Sequence, residues 1–436
     1  MKRSHIPGVR PACLLALAFT GLPGHVRAAQ TDLTIESAEQ LALSADPAVL
    51  MRQSRARALH EQAVADGQLP DPKLLFGVWN VPLDDFSMEK EPSSQLRAGI
   101  SQAFPRGDSL KYRRGRTEWL GRAESDATRN ARAEIRRDVR EAYLELYYQE
   151  RAADIIARSR GLFEQLVEIT RAHYASGRVS QQDVLQAQLE LSRLDERATR
   201  IDAQRDVQRA ALSRWIGAAA DEPLDTRFPA LPDVPALAVL QSGLAQHPAI
   251  QSASARVQAS QQRVNEAREQ YKPGFNVGVE YRKRFGDNAD GSDRPDQMAA
   301  MVTLDLPVFT DKRQDRHLAA SQLQAEAALQ TREQKLRELQ RNLAGDYARW
   351  QRLGEQARIY SEHLVREAAD NAVAAVHAYQ SGTTEFTSLM RARITELDVR
   401  LEDIRVRVDR AKTRARLLYL LPDPADTDTA TEGERP

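Results

Sequence analysis

The sequence repeats itself. Asp46-Pro47-Ala48 returns as His247-Pro248-Ala249, and Leu69-Pro70-Asp71-Pro72 is answered by Tyr271-Lys272-Pro273, both 201 residues later. Ala103-Phe104-Pro105-Arg106 matches Leu306-Pro307-Val308 at 202, and the stretch around Tyr174 and Gly177 matches Tyr379 and Gly382 at 205. Four landmarks at a near-constant offset indicate a duplicated unit. The two copies span residues 29–235 and 236–421. Each runs in the same order: a helix, two short extended runs, a very long helix, a Gly-containing turn and a returning helix.

Spacing identifies the helices. From Met390 the apolar positions are Ile394, Leu397, Leu401, Ile404, Val408, Ala411, Ala415 and Leu418, alternating by four and three; Val184, Ala187, Leu191, Leu194, Ala198 and Ile201 do the same in the first copy. Such seams specify coiled-coil packing. Asp311 to about Tyr379 has no internal proline and carries Leu336, Leu339, Leu343, Tyr347, Trp350 and Leu353 on one stripe, so a helix roughly 100 Å long is expected. Two hairpins of that length cannot make a compact globule. Composition agrees: 62 basic and 62 acidic residues, with aromatics at only 6%, suit long helices.

The extended runs obey a different period. Phe275, Val277, Val279 and Tyr281 alternate with Asn276, Gly278 and Glu280, and Val302-Thr303-Leu304-Asp305-Leu306 repeats the alternation. In the first copy Leu96, Ala98 and Ile100 alternate with Arg97, Gly99 and Ser101, and Leu74, Phe76 and Val78 begin the remaining strand. Strands are expected at about 73–80, 94–103, 274–283 and 297–307. Polar loops, Pro82 to Ser94 and Arg282 to Gln297, join each pair. Surface hairpins of a soluble protein would show the same alternation, but export and the insertion between enormous helices favour a membrane barrel. Four strands cannot close one, since small outer-membrane barrels need about 8. Oligomerisation has to supply the rest.

Export is read from the N-terminus. Lys2, Arg3 and Arg10 precede an apolar run from Ala12 to Phe19, and Val26-Arg27-Ala28 offers a small-residue cleavage site, so residues 1–28 read as a signal peptide. Cleavage leaves 58 basic and 62 acidic residues. Neither this balance nor any clustered basic face suits a nucleic-acid partner. Cys13, the only cysteine, stands too early for a lipoprotein box and leaves with the signal peptide, which removes disulfide frameworks and cysteine-ligated metal. No stretch approaches the length of a membrane helix. The tail 422–436 has almost nothing apolar and is expected to be disordered.

In this arrangement the chain resembles the TolC family of outer membrane efflux proteins, from about Leu33 to Leu421. The most specific features are two tip motifs, near 174–185 and 379–390: Tyr174-Ala175-Ser176-Gly177 followed by Ser180 and Asp183-Val184-Leu185, and Tyr379-Gln380-Ser381-Gly382 followed by Ser388-Leu389-Met390. Leu69-Pro70-Asp71-Pro72, Asn80-Val81-Pro82 and Gln102-Ala103-Phe104-Pro105 look most like the heavy-metal (CzcC-like) branch. The resemblance implies a mainly α fold with a membrane β-barrel: a homotrimer whose four strands per subunit build one twelve-stranded barrel in outer membrane lipid, continued by an α-helical periplasmic tunnel. It implies a passive duct for substrates, heavy-metal cations among them, from periplasm to outside. A periplasmic adaptor and an inner-membrane pump of the RND type would engage the tips, with Tyr174, Gly177, Ser180, Gly382 and Thr384 as adaptor-contacting positions. A periplasmic or secreted coiled-coil scaffold or adhesin without a pore is the competing reading.

Gly177 and Gly382 sit where a long helix must stop and reverse. The resemblance implies a gate closed by a hydrogen bond from Tyr379 to Asp183. The family pattern adds an Arg two residues after the second Gly, where this sequence has Thr384, and often narrows the pore with acids at positions here held by Ser388 and Arg391. An anionic ring is therefore not expected at this aperture.

No catalytic constellation stands out: there is no Gly-rich phosphate loop, His-Glu-x-x-His or Gly-x-Ser-x-Gly. The chain reads as a non-enzyme with no cofactor and no resident metal. Asp84-Asp85 falls in an exposed loop, where a solvated role is expected. His173 and His377 lie four or five residues before a tip Gly, so a trimer would gather six imidazoles; surface or packing roles are favoured because no three ligands share a helical face. Trp79, beside a strand end, suits a membrane-interface belt, and Trp119, Trp215 and Trp350 lie on helical stripes.

Overall fold

A computed structural model of the protein describes residues 32–421. The segment read as a signal peptide and the tail 422–436 lie outside the described residues. Among these the chain is mainly helical, with one four-stranded antiparallel sheet. The first half runs α1 (Ile35–Ala45), α2 (Pro47–Asp66), β1 (Lys73–Trp79), β2 (Gln95–Phe104), α3 (Ser109–Ala175) and α4 (Gln181–Ile216). The second runs α5 (Leu237–Gly243), α6 (Pro248–Glu269), β3 (Gly274–Arg284), β4 (Gln297–Asp305), α7 (Gln314–Ile359), α8 (Val365–Gln380) and α9 (Phe386–Tyr419).

The repeated landmarks are element boundaries. Asp46 caps α2, its Oδ1 accepting from the Ala48 and Val49 amides at 2.8 and 3.3 Å, with Pro47 in the first turn. That pairing satisfies two orphan amides and presets φ. In the second copy His247 does the same work at the start of α6: its Nδ1 accepts from Ala249 N at 3.2 Å, with Pro248 following. Because a backbone amide only donates, Nε2 carries the hydrogen and donates to Tyr419 O at 3.1 Å. His247 is fully buried, and that burial pushes its pKa down to about 4.

α3 has 67 residues, which makes a rod roughly 100 Å long. The second rod, Gln314 to Gln380, has one interruption that the sequence reading does not contain: a π-helical turn at Tyr360–Leu364 separates α7 from α8. Neither glycine nor proline lies within it, so composition leaves it unmarked. Three buried clusters string along the rods. One surrounds Tyr143, Leu144 and Leu146 with Leu212 and Val408, and here Leu33 O accepts both Tyr143 Oη at 2.7 Å and Asp225 N at 3.1 Å. Another, on the tip side, joins Phe163, Leu166 and Leu194 to Leu397, Leu401 and Tyr379. The last joins Leu240, Leu244 and Ile250 to Leu339, Leu343 and Leu417. Each fully buried aliphatic side chain contributes about 1.5–3 kcal/mol.

The α9 seam is buried from Met390 to Ala415 except Ile394, which is half-buried. At its end Leu417, not Leu418, enters the core, because there α9 joins the cluster built by α5, α6 and α7. The α4 seam differs. Only Ala187 and Leu194 are buried, while Leu185, Leu189 and Val207 are exposed.

The sheet has the order β1-β2-β3-β4. Its register places Leu74 opposite Ile100, Ile100 opposite Val279, and Val279 opposite Ala300, so one face gathers Leu74, Phe76, Val78, Ile100, Val277, Val279, Met298, Val302 and Leu304. Apart from Ala300 and a few neighbours these are exposed large apolar side chains, Leu74 at 82% and Met298 at 77%. Only hydrocarbon or another protein accepts such a face. The opposite face is mostly polar, holding Lys73, Arg97, Ser101, Asn276, Glu280, Arg282 and Thr303, with Leu75 and Met301 as its exposed large aliphatic side chains. Trp79 belongs to this polar face, its ring 4.2 Å beneath the Arg97 guanidinium. It therefore does not share the apolar face that an aromatic belt at a membrane interface would need, since odd positions of β1 lie on the other side of the sheet. Among the described residues β1 and β4 are edges without a partner strand.

Candidate functional site: the paired tips and the polar face of the sheet

The two tips are built alike. Gly177 and Gly382 have φ of +72° and +70°, and an added Cβ at either would meet nothing within 4 Å, so backbone conformation and not space demands glycine. Gly177 N donates to Tyr174 O at 2.9 Å and Arg178 N to His173 O at 2.9 Å; Gly382 N donates to Tyr379 O at 3.1 Å and Thr383 N to Ala378 O at 2.9 Å. These are paired Schellman closures that satisfy the last carbonyls of α3 and α8.

The returning helices start differently. Ser180 and Asp183 form a reciprocal capping box: Asp183 N donates to Ser180 Oγ at 3.3 Å, and Asp183 Oδ2 accepts from Ser180 N at 3.0 Å and Ser180 Oγ at 2.9 Å. In the second tip Glu385 stands at the cap without a side-chain capping bond, and Ser388 replaces the acid. The spacing Ser-x-x-Asp held this signal in the sequence.

Tyr379 is buried at 8% exposure, between His173 of the first tip and Phe386 of its own. Among the described residues its Oη makes no well-formed hydrogen bond; the Thr170 hydroxyl, which donates to Leu166 O at 2.7 Å, lies beside it and works against the rise in its pKa. Burial first, and then the negative charge of Asp183, raise the Tyr379 pKa, so the hydroxyl stays a donor at neutral pH. Within one chain no hydrogen bond joins Tyr379 to Asp183. Tyr174 is exposed and Thr384 half-buried. Ser388 and Arg391 are exposed on the side of α9 opposite Leu389 and Met390, and Arg391 has no ion-pair partner among the described residues. His173 packs on Tyr379 while His377 is exposed.

On the polar face of the sheet, Glu280 Oε1 lies 3.1 Å from Arg97 Nε and 3.4 Å from Arg282 Nε. This triad was not legible in sequence, because Arg97 comes from the first copy and Glu280 from the second. Above it the two strand-joining loops are tied together, Arg284 donating to Pro92 O at 3.0 Å and Arg294 to Glu89 O at 2.9 Å. Asp84 and Asp85 are engaged by Lys90 at 2.6 and 3.1 Å. Among the described residues no three His, Cys, Asp or Glu side chains group as metal ligands, and no helix is long and apolar enough to cross a membrane.

Residues 239–421 match the family described as Outer membrane efflux protein. The multidrug resistance outer membrane protein MdtP of Shigella flexneri is 26% identical over 266 residues, 58% of this chain and 53% of that protein. The chain thus spans about half the length of the curated relative it matches. Among solved structures, a membrane protein from Pseudomonas aeruginosa superposes with a TM-score of 0.76 at 17% identity, covering 89% of this chain and 90% of that one. The outer membrane protein VceC of Vibrio cholerae gives 0.74 at 18% over 88% and 95%, and CusC gives 0.74 at 16% over 90% and 93%. At these identities the structures share the fold.

Proposed function

We propose that this outer-membrane chain, whose residues 239–421 match the outer membrane efflux family, assembles as a homotrimer into a passive exit duct: a twelve-stranded barrel continued by a helical periplasmic tunnel. The observation that carries this reading is the sheet, apolar and exposed on one face and open at both edges. In hydrocarbon every backbone N–H and C=O must be paired, so edges β1 and β4 have to meet strands of other copies. Three copies give twelve strands, an even number with β4 antiparallel to the next β1. Exposed Leu185, Leu189 and Val207 on α4, and Leu323, Ile359 and Val373 on the second rod, supply apolar surface for helix contacts between protomers.

Conduction needs no catalysis and no cofactor; energy comes from an inner-membrane RND-type pump coupled through a periplasmic adaptor that grips the tips at Tyr174, Gly177, Ser180, Gly382 and Thr384. Tyr379 and Asp183 of neighbouring hairpins close the inner end, and Ser388 and Arg391 line the aperture. The motifs at 69–72, 80–82 and 102–105 support heavy-metal cargo, whereas the match to a multidrug resistance protein supports organic cargo.

Membrane fractionation followed by electrophoresis with and without heating tests the proposal. The expected result is an outer-membrane species that migrates as a trimer until heated. A soluble periplasmic monomer would overturn it in favour of a pore-free coiled-coil scaffold.

A further inference from the structure

The polar face of the sheet carries Lys73, Arg97, Arg282 and Arg284 against Glu280 and Asp305. Its central feature is unusual for a pair of neighbouring strands. Arg97 and Arg282 are direct cross-strand partners, an arrangement of like charges that destabilises a sheet unless something compensates. Glu280, two residues before Arg282 on β3, sits against both guanidiniums, and Trp79 lies under Arg97. The carboxylate side chain is 10% exposed and that of Arg97 17%. Room for the group comes from glycines: Gly77 pairs with Arg97 and Gly99 with Glu280, and a Cβ on Gly99 would stand 2.9 Å from Val279 O and 3.3 Å from the Glu280 Cβ. One carboxylate thus stands at ion-pair distance from two guanidiniums, with no hydrogen bond between Glu280 Oε1 and either Nε, and its single charge offsets only one of them.

Resting on the trimeric duct proposed above, we infer that Arg97 and Arg282, ordered by Glu280 and Trp79, form a cationic belt inside the barrel that makes the pore prefer anions, and so favours cargo that carries negative charge. Three copies bring six guanidiniums and three carboxylates to one level of a lumen whose walls are backed by lipid. Low-dielectric walls focus such a field and raise the local concentration of counter-ions. Arg391, unpaired at the tip end, has the same sign. The loop above the belt is acidic, with Asp287, Asp290 and Asp293, but these three carboxylates are exposed to solvent, and Asp287 meets Asp293 in a backbone bridge. Salt screens it within about 8–10 Å. Divalent metal cations would cross the belt against repulsion unless complexed by anionic ligands.

The test is the reversal potential of the purified trimer in a planar bilayer under a potassium chloride gradient. The expected wild-type sign is that of chloride preference. Arg97→Gln with Arg282→Gln should reduce the chloride-to-potassium permeability ratio severalfold or invert it, while Glu280→Gln, which leaves both guanidiniums unneutralised, should raise it. Opposite shifts from the two variants separate an electrostatic belt from a general loosening of the barrel. A cation-preferring wild-type pore, or a ratio that neither variant moves, would overturn the belt and leave the duct standing. A trimer that conducts nothing, in wild type and in Tyr379→Phe alike, would overturn the duct and with it the belt.

Discussion

The imidazole of His173 and the phenol of Tyr379 lie 5.8 Å apart, centroid to centroid, at 35°. One comes from the end of α3 and the other from the end of α8, so the two tips of a single chain are packed side by side. Phe386 completes the group with its ring 5.7 Å from that of Tyr379. The Tyr379 hydroxyl lies inside it beside Thr170 and makes no well-formed hydrogen bond among the described residues; a buried donor left so costs about 1–3 kcal/mol unless another molecule supplies an acceptor.

Tyr379→Phe removes the donor and keeps the ring packing. If the hydroxyl reaches Asp183 of a neighbouring subunit, the variant trimer will show larger single-channel conductance and its cells will leak antibiotics inward, since a shielded bond to a carboxylate contributes about 1.5–3 kcal/mol. The protomer itself should be no less stable to heat. Wild-type conductance would mean that closure rests on other contacts.

Asp183 has a second duty, and a pair of variants separates the two. Ser180→Ala removes the cap oxygen and keeps the carboxylate, while Asp183→Ala keeps the cap oxygen and removes the carboxylate, and with it the other half of the box and the charge. Each should destabilise the start of α4 by about 0.5–2 kcal/mol. Only Asp183→Ala should open the duct, and Tyr379→Phe combined with it should add nothing. Equal conductance in Ser180→Ala would assign closure to the geometry of the cap.

His247 makes stability depend on pH. In the folded chain it stays neutral down to about 4, whereas in the unfolded chain it takes up a proton near 6.5. The unfolded state therefore binds more protons between these values, and stability present above 6.5 is lost as pH falls, by about 2 kcal/mol at pH 5 and about 3 at pH 4. His247→Asn, which retains a capping oxygen, should flatten the fall in melting temperature between pH 7 and 5. An unchanged slope would place the sensitivity in other groups.

Val277 and Thr303 lie on adjacent strands and opposite faces. If the apolar face meets lipid, Val277→Arg costs ~2–4 kcal/mol near the midplane and should lower the amount of heat-dissociable trimer. Thr303→Arg, on the polar face, should assemble nearly normally. Loss of trimer in both would point to crowding and not to lipid.

The duplication, the long rods and the alternating strands were legible because each rests on local periodicity: 3.5 or 3.6 residues for a buried helix stripe and 2 for a half-buried strand. The landmark prolines and glycines were legible for the same reason, as caps and turns are satisfied within a few residues of chain. Asp183 was visible as a motif residue, yet its capping partner Ser180 was read only as a contact position. What the sequence left open depends on distant pairing. Which strand of the first copy lies beside which of the second fixes whether Arg97 meets Arg282 and Glu280, and which way Trp79 faces, and a shift of one residue would have turned every side chain to the other face. The burial of His247 under Tyr419 and of Tyr379 under His173 likewise joins residues far apart in the chain. Local spacing determined the elements of this protein; the tertiary structure decided which charges and rings share a site, because desolvation and charge pairing are set by neighbours in space.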